Sequence, residues 1–594
     1  MKKRVLFCGE ASPLNTGFST YYRELLPRLA RTGKYEIGEM GSYMRSDDPR
    51  AHEFIKNQWR FWGVEPTSQE EQAEYQNPAN QSPRCPGQNT WQFGDGKFPH
   101  VCAEFQPDIV TEIRDWWMLE YIERSPFRPY FKWLAMPTVD SEPQKEEWAN
   151  TYATADMCLA YSDYGVHTLK QYPGIKVYTE PMRPGVDLQT FAPMDKAELK
   201  KDWLGCKEDV KVILMIARNQ SRKLYPDALD AFALLKERYK GNPSIDKAVL
   251  VIHSSWPDNQ FSYDYPRHIN RISTGYHGLQ YYYPKMRDDV FQTLICHDCG
   301  HVSMTWAINL FGKQVVNGDR GPKIYVSCQK CGKQTATTPD TSTGYTREQL
   351  AQLYNVADAF IQVSIAEGCG MPVQEAKSCG VPTLVTDYSA TAEKGRFPAE
   401  YQHLKGVKSE EYTVSKGGIA IPVGRYYYEP ETSCRRAHPD VSVLADQLYQ
   451  LLTDDADREK MSIEARECAE ENYDWDKLAK RWEYVLDNVK IKDRSTTWDK
   501  PHEILTSTDE VQVPDGLSDS ALIDFLYINI LKYPRVDDAG KEQWLASMQA
   551  GQTREKIIQS FRSIANSAVN ESNQVNELLA KPEDTKDELG GEFI

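Results

Sequence analysis

The stretch DAFIQVSIAEGCGMPVQEAKSCGVPTLVTD, residues 358–387, constrains the fold more than any other part of the chain. An apolar run ends at Ser364, a glycine-bearing loop follows, then a helix-forming segment opened by Pro372, then a second apolar run from Val381. Two continuous apolar runs joined by a helix read as parallel strands, because a parallel pair needs a crossover and the crossover covers the sheet. The fold class is therefore α/β. A chain of 594 residues is too long for one core at about 150 residues per domain, so this unit belongs to one of several domains.

The same alternation recurs. Val5 to Cys8 reads as a strand, GEASPLNTG as its loop, and Tyr21, Tyr22, Leu25, Leu26 and Leu29 as one face of the next helix. Further strands are expected at 108–113, 131–136 and 157–161, making residues 1–190 a first Rossmann-like half. Between Ser42 and Phe105 the chain is rich in Gln, Asn, Pro and Trp and reads as an elaborated insertion. The turn PMRPGVDLQTF hands over to a second half, 191–472, which opens with VKVILMIA, the loop RNQSRKLYP and the helix DALDAFALLKERY. After AVLVIH the pattern breaks over 254–345, which reads as a second insertion. Residues 491–516 read as a linker. Leu522, Phe525, Leu526 and Ile530 keep helical spacing, so 517–580 form a small helical domain, and 581–594 read as a disordered tail.

Glu367 and Glu375 stand eight residues apart around the glycine-bearing loop. Gly368 and Gly370 let backbone N–H groups approach a ligand with no Cβ in the way. Pro372 suits the first turn of a helix whose N-terminus offers unpaired N–H groups and a positive dipole to a diphosphate. Glu375, in that first turn, is placed to accept hydrogen bonds from ribose hydroxyls, and Glu367 lies nearer a transferred sugar. A glutamate pair at such a place also serves as N-terminal capping, so the residues alone leave both readings open.

Residues 357–393 resemble the Glu-x7-Glu motif of glycosyltransferase family 4, retaining enzymes of GT-B fold. ARNQSRKLYPDALDAFALL is similar to that family's diphosphate-binding loop, RPGVDLQTFAP to its interdomain turn, and YDWDKLAKRW to its late helix, so that 473–490 should cross back and complete the first half. The resemblance implies two Rossmann-like domains facing a cleft and a UDP-, GDP- or ADP-sugar donor bound mostly on the second, with no catalytic metal. It assigns catalysis to Glu367, Arg218 and Lys223, the two cations holding a diphosphate whose charge grows as the glycosidic bond breaks. Gly368, Cys369, Gly370, Met371 and Glu375 join them in donor binding, with Asn15, Thr16 and Gly17 facing the donor from the first half. The family often has a histidine after its fourth N-terminal strand, where this chain reads MPTVDSE, which makes Asp140 an acceptor-side candidate. Asp115, followed by Trp116 and Trp117, is a second.

ICHDCGH and SCQKCG carry two CxxC pairs 28 residues apart, which is zinc-ribbon spacing. Two such knuckles bring four thiolates into the tetrahedron zinc prefers, and four protein ligands leave no open position for catalysis. Cys296, Cys299, Cys328 and Cys331 are the expected ligands of a structural Zn2+, with His297 and His301 as substitutes.

An odd 13 cysteines in a large chain suggest a reducing compartment, and the cytoplasm is the expected location. No apolar run approaches the roughly 18 residues needed to cross a bilayer, and no signal peptide is evident. A net charge of −16 disfavours non-specific nucleic-acid binding. The stretch 254–345 is less acidic, with nine Lys and Arg, seven Asp and Glu and eight tyrosines, and reads either as a module for recognising an acceptor, including nucleic acid stacked on Tyr281, Tyr282 and Tyr283, or as a stiffening strut. The acceptor stays open among glycan, lipid and modified DNA. Three rivals stand beside the glycosyltransferase reading: a phage-type enzyme acting on modified DNA bases, a nucleotide-sugar epimerase of the same fold, and a non-catalytic sugar-nucleotide-binding protein. The segment LIDFLYINILKYPRVDDAGKEQWLASMQAGQTREKIIQSF resembles domain of unknown function 4214, which names no activity, and it reads as an interaction or scaffold domain.

Overall fold

The computed structural model describes residues 2–78, 89–204, 210–258, 262–275, 279, 281–318, 321–340, 344–396, 413–500, 511–531, 536 and 538–580. The first half is built on β1 (Lys3–Glu10), β2 (Tyr35–Arg45), β3 (Arg60–Glu65), β4 (Ile109–Arg114), β5 (Lys132–Pro137) and β6 (Met157–Cys158). They form one parallel sheet in the order β3-β2-β1-β4-β5-β6. The second sheet begins with β7 (Val212–Ile216), β8 (Val249–His253) and β9 (Val290–Cys296). β10 (Val302–Trp306) and β13 (Ala336–Thr337) run antiparallel to β9, while β11 (Val316–Gly318) and β12 (Gly321–Lys323) form a separate hairpin. β14 (Ala359–Gln362), β15 (Thr383–Thr386) and β16 (Gly418–Ile421) complete it, and β17 (Val423–Tyr428) pairs with β18 (Arg435–Pro439) in a further hairpin. The parallel part runs β9-β8-β7-β14-β15-β16, so each half repeats the 3-2-1-4-5-6 order of the dinucleotide-binding fold.

Both stretches read as insertions turn out to hold the third strand of their sheet. β3 lies inside Ser42 to Phe105, and β9 lies inside 254–345, paired in parallel with β8 from Leu250↔Val290 to Ile252↔Gln292. The cysteine cluster is therefore an elaboration of a core strand rather than an appendage beside it.

Helix Trp475–Asn488 leaves the second half and packs on the first. Trp475, Leu478, Trp482, Val485 and Leu486 share a core with Val5, Phe7, Tyr21 and Leu25. The chain just beyond it is pinned to the first half as well. Arg494 pairs with Asp108 at 3.1 Å, and Trp498 stacks on Phe127 and donates Nε1–H to the Pro107 carbonyl. Helices Asp519–Phe525, Asp538–Gln549 and Arg554–Ala580 form a small helical region around Leu522, Leu526, Ile557 and Phe561. The last of these helices reaches back to the first half, where Val575 joins the core around Phe98 and Phe131. The proposed disordered tail, 581–594, lies outside the described residues. Among the described residues no helix is long and apolar enough to cross a membrane.

The tyrosine run does not form a stacking platform. Tyr283 is buried in the second half's core and Tyr281 packs against it, leaving Tyr282 exposed. The apolar demand of helix Tyr265–Thr274 and its surroundings draws two of the three rings inward.

Candidate active site

In an open α/β sheet, a crevice forms outside the strand C-termini where the strand order reverses. Here that point lies between β1 and β4 in one half and between β7 and β14 in the other. The loop after β7 carries Arg218, Arg222 and Lys223, and the loop after β14 carries Glu367. A backbone bond from Ile365 N–H to the Arg222 carbonyl, 2.9 Å, ties the two loops together.

Glu367 is buried and makes an ion pair with Lys223, while Arg222 Nη1 lies 3.4 Å from its other oxygen. Its own N–H donates to Ser389 Oγ at 2.8 Å, which fixes the loop from the far side. Burial alone would raise the carboxyl's pKa, but the Lys223 and Arg222 charges outweigh it and hold it down at about 2. Burial pulls the Lys223 ammonium down, and Glu367 opposes that pull. Arg222 was not singled out from the sequence, where its only signal is adjacency to Lys223. Arg218, which was, is half-exposed and turned towards Asp258, with Nε 3.0 Å from Oδ2.

Glu375 is the fifth residue of helix Met371–Ser378, one residue past the first turn. It accepts a 2.7 Å hydrogen bond from Tyr354 Oη, and burial pushes its pKa up to about 7. The two glutamates are thus in opposite states, one ionised within a cation pair and the other poised near neutrality. Gly370, immediately before the helix, has φ of +75°, a conformation that favours glycine. Met371 opens the helix, half-buried, and Cys369 packs against the first half's core.

From the first half, Thr16 caps helix Gly17–Thr32 and hydrogen-bonds Glu10 at the end of β1. Asn15 accepts from Arg23 at 3.0 Å, and the space a Cβ on Gly17 would enter is open. Asp115 follows β4, and its pKa rises to about 6 through burial, with Asp140 and Glu10 adding to the rise and Arg222 opposing it. Asp140 reaches across the cleft to Arg436 of β18 at 3.0 Å. Trp116 stacks on Trp148 and Trp117 packs edge-on against Phe93, so both rings serve the first half's packing.

The cleft is closed by further contacts. Arg435 pairs with Glu142 at 2.7 Å, Arg347 with Glu24 at 2.7 Å, and Arg183 spans Asp163 and Glu393. Gly368 abuts Thr138, where an added Cβ would lie 2.4 Å from the threonine methyl. The structure therefore brings Glu367, Lys223, Asp115 and Asp140 together with Arg222 and Arg436, while Arg218 pairs with Asp258 and Glu375 with Tyr354.

The four cysteine sulfurs lie within 4.8 Å of one another, with Cys296 to Cys331 at 3.8 Å and Cys299 to Cys328 at 3.7 Å. A tetrahedron with metal–sulfur bonds of about 2.3 Å has edges of about 3.8 Å, so the set fits a thiolate-bound metal. His297 is engaged elsewhere, with Nε2 2.8 Å from Thr337 Oγ1.

Residues 341–394, which include both glutamates of the loop, match the family described as Glycosyl transferases group 1. The chain is similar in structure to sucrose-phosphate synthase from Thermosynechococcus elongatus, at 14% identity, with 82% of this chain and 98% of that chain covered and a TM-score of 0.50. It is similar also to OtsA in its apo structure, at 12% identity, 82% and 100% coverage and a TM-score of 0.50. The fold is GT-B. No curated protein matches the sequence. Across the two Rossmann-like domains, Arg222 and Lys223 of one face Asp115 and Asp140 of the other.

Proposed function

We propose that this chain is a retaining glycosyltransferase of family 4 that moves a sugar from a nucleotide-sugar donor to an acceptor. The observation that carries the reading is the buried Glu367 held by Lys223 and Arg222 at one switch point, facing Asp115 and Asp140 from the other. A donor diphosphate meets Lys223, Arg222 and Arg218, the last steadied by Asp258. Positive charge there acts on the transition state, because the phosphate gains charge as the glycosidic bond breaks. Glu367, ionised and paired, is no proton donor at neutral pH; it fixes Lys223 and accepts hydrogen bonds from the sugar. The departing phosphate oxygen takes the acceptor's proton, so Asp115 and Asp140 orient the acceptor without acting as a general base. The four cysteines hold a structural zinc, and the C-terminal helical region serves as an interaction domain.

Glu375 supplies the test. An ionised carboxylate accepts from both ribose hydroxyls, and a protonated one loses acceptor capacity. Donor affinity should therefore rise as pH rises through about 7, where Glu375 ionises. Thermal shifts with UDP-, GDP- and ADP-sugars, taken on either side of that pH, should show one nucleotide stabilising the chain, more strongly on the alkaline side. Glu375→Gln should bind weakly and without that pH dependence. Absence of stabilisation by every nucleotide sugar would sink the reading, and isomerisation of the donor without acceptor would replace transfer by epimerisation.

A further inference from the structure

We propose that the metal held by Cys296, Cys299, Cys328 and Cys331 positions Arg218 for the donor diphosphate, acting through Thr338 and the loop after β8. The proposal rests on the reading that Arg218 meets that diphosphate. The first knuckle grows from Cys296, the last residue of β9, and the second hands on to β13, whose Ala336 pairs in register with Cys296. The next residue but one, Thr338, is buried. Its hydroxyl accepts the Trp256 N–H at 2.9 Å and donates to the Trp256 carbonyl at 3.0 Å, clamping a loop that is 82 residues away in sequence. Two residues further along that loop, Asp258 accepts from Ser255 Oγ at 2.8 Å and holds Arg218 Nε at 3.0 Å. His297 adds a second link, since its Nε2 lies 2.8 Å from Thr337 Oγ1, which donates to the Thr338 carbonyl.

The knuckles have almost no core of their own: Cys296, Cys328 and Ala336 with Val326 beside them. Where apolar burial is so small, a metal supplies the folding free energy. Its loss frees β13, and with it Thr338 and the loop that fixes Asp258. The metal is thereby a positioning element for a phosphate contact on a neighbouring strand.

The experiment uses the full chain, which should carry about one zinc per chain as purified. Two perturbations are compared: removal of the metal with a chelator, and Thr338→Val, which leaves all four cysteines in place. Hydrogen exchange across 250–258 reads the loop, and titration with inorganic pyrophosphate reads the phosphate site without base or sugar. Both perturbations should speed exchange in 250–258 while β1 and β4 stay protected. Both should weaken pyrophosphate binding by roughly tenfold, the scale of coupling carried through a packed network. Thr338→Val should keep its zinc, and Thr338→Ser, which retains the hydroxyl, should behave as the parent. Unchanged exchange in 250–258 after metal removal would overturn the proposal, as would a purified chain without metal. Faster exchange in a chain that binds neither pyrophosphate nor any nucleotide sugar would leave the brace standing and remove the donor reading instead.

Discussion

Lys223→Ala is expected to lower kcat by about a hundredfold or more, because it deletes the cation that meets a growing phosphate charge in a site screened from water. It should also cost stability. Glu367 is buried and Lys223 mostly so, and removing the lysine leaves the carboxylate only the longer Arg222 contact, which should cost about 1 to 3 kcal/mol. The two effects separate in the double variant Lys223→Ala/Glu367→Gln. Neutralising the carboxylate should restore most of the stability, since the buried charge then no longer depends on Arg222 alone, whereas turnover should stay low. Acid titration gives an independent check. The folded-state pKa of Glu367 is depressed to about 2, so the pair's contribution is present above the ordinary carboxylate pKa and is lost as pH falls through about 2. In Lys223→Ala that acid-side loss should be much reduced. Wild-type kcat in Lys223→Ala at saturating donor would remove Lys223 from the phosphate site.

The GT-B architecture and the loop that bears Glu367 were legible from the sequence because both are local. A continuous apolar run, two glycines and a proline fix strand, loop and helix within thirty residues. What was not legible depends on partners distant in sequence. β9 reads VFQTLIC, and its Gln292 and Thr293 look out of place in a core strand. Both are buried, Gln292 accepting from Tyr265 Oη at 2.6 Å and Thr293 lying 3.0 Å from His253 Nδ1. Polar residues satisfied only by tertiary contacts break the apolar pattern from which a strand is read. β3 was hidden for another reason. It is an edge strand with only Gly63 and Val64 fully buried, so little of it needs to be apolar. The site shows the same division. Lys223 and Glu367 follow from their own loops, but Arg222 and Arg436 acquire meaning only when Glu367 and Asp140 arrive from elsewhere. Arg218 likewise finds its partner, Asp258, 40 residues away in sequence.

Trp482→Ala should destabilise the first half by about 3 to 5 kcal/mol, the range for truncating a fully buried large aromatic residue. The indole is completely buried on helix Trp475–Asn488, with ring centroids 6.0 Å from Phe7 and 6.4 Å from Tyr21. Its Nε1–H donates to Tyr21 Oη at 2.9 Å, and Tyr21 in turn donates to the Met182 carbonyl at 3.0 Å. Truncation therefore opens a cavity beside β1 and leaves Tyr21 short of a partner. The position matters beyond packing, because this helix begins where the chain crosses back from the second half. Val186 N–H donates to the Tyr473 carbonyl at 2.7 Å, so the outgoing and returning crossings lie side by side. A Cβ on Gly185 would sit 2.6 Å from the Trp475 nitrogen, which shows how close they run. Loosening the helix should thus free one half from the other while leaving the loops after β7 and β14 intact. Calorimetry should show a lowered transition for the first half, nucleotide-sugar affinity should change little, and turnover, which needs both halves closed on the donor, should fall. Trp482→Phe, which refills most of the cavity, should recover a large part of the stability. Unfolding of Trp482→Ala at the parent temperature would mean that this helix does not hold the first half in place.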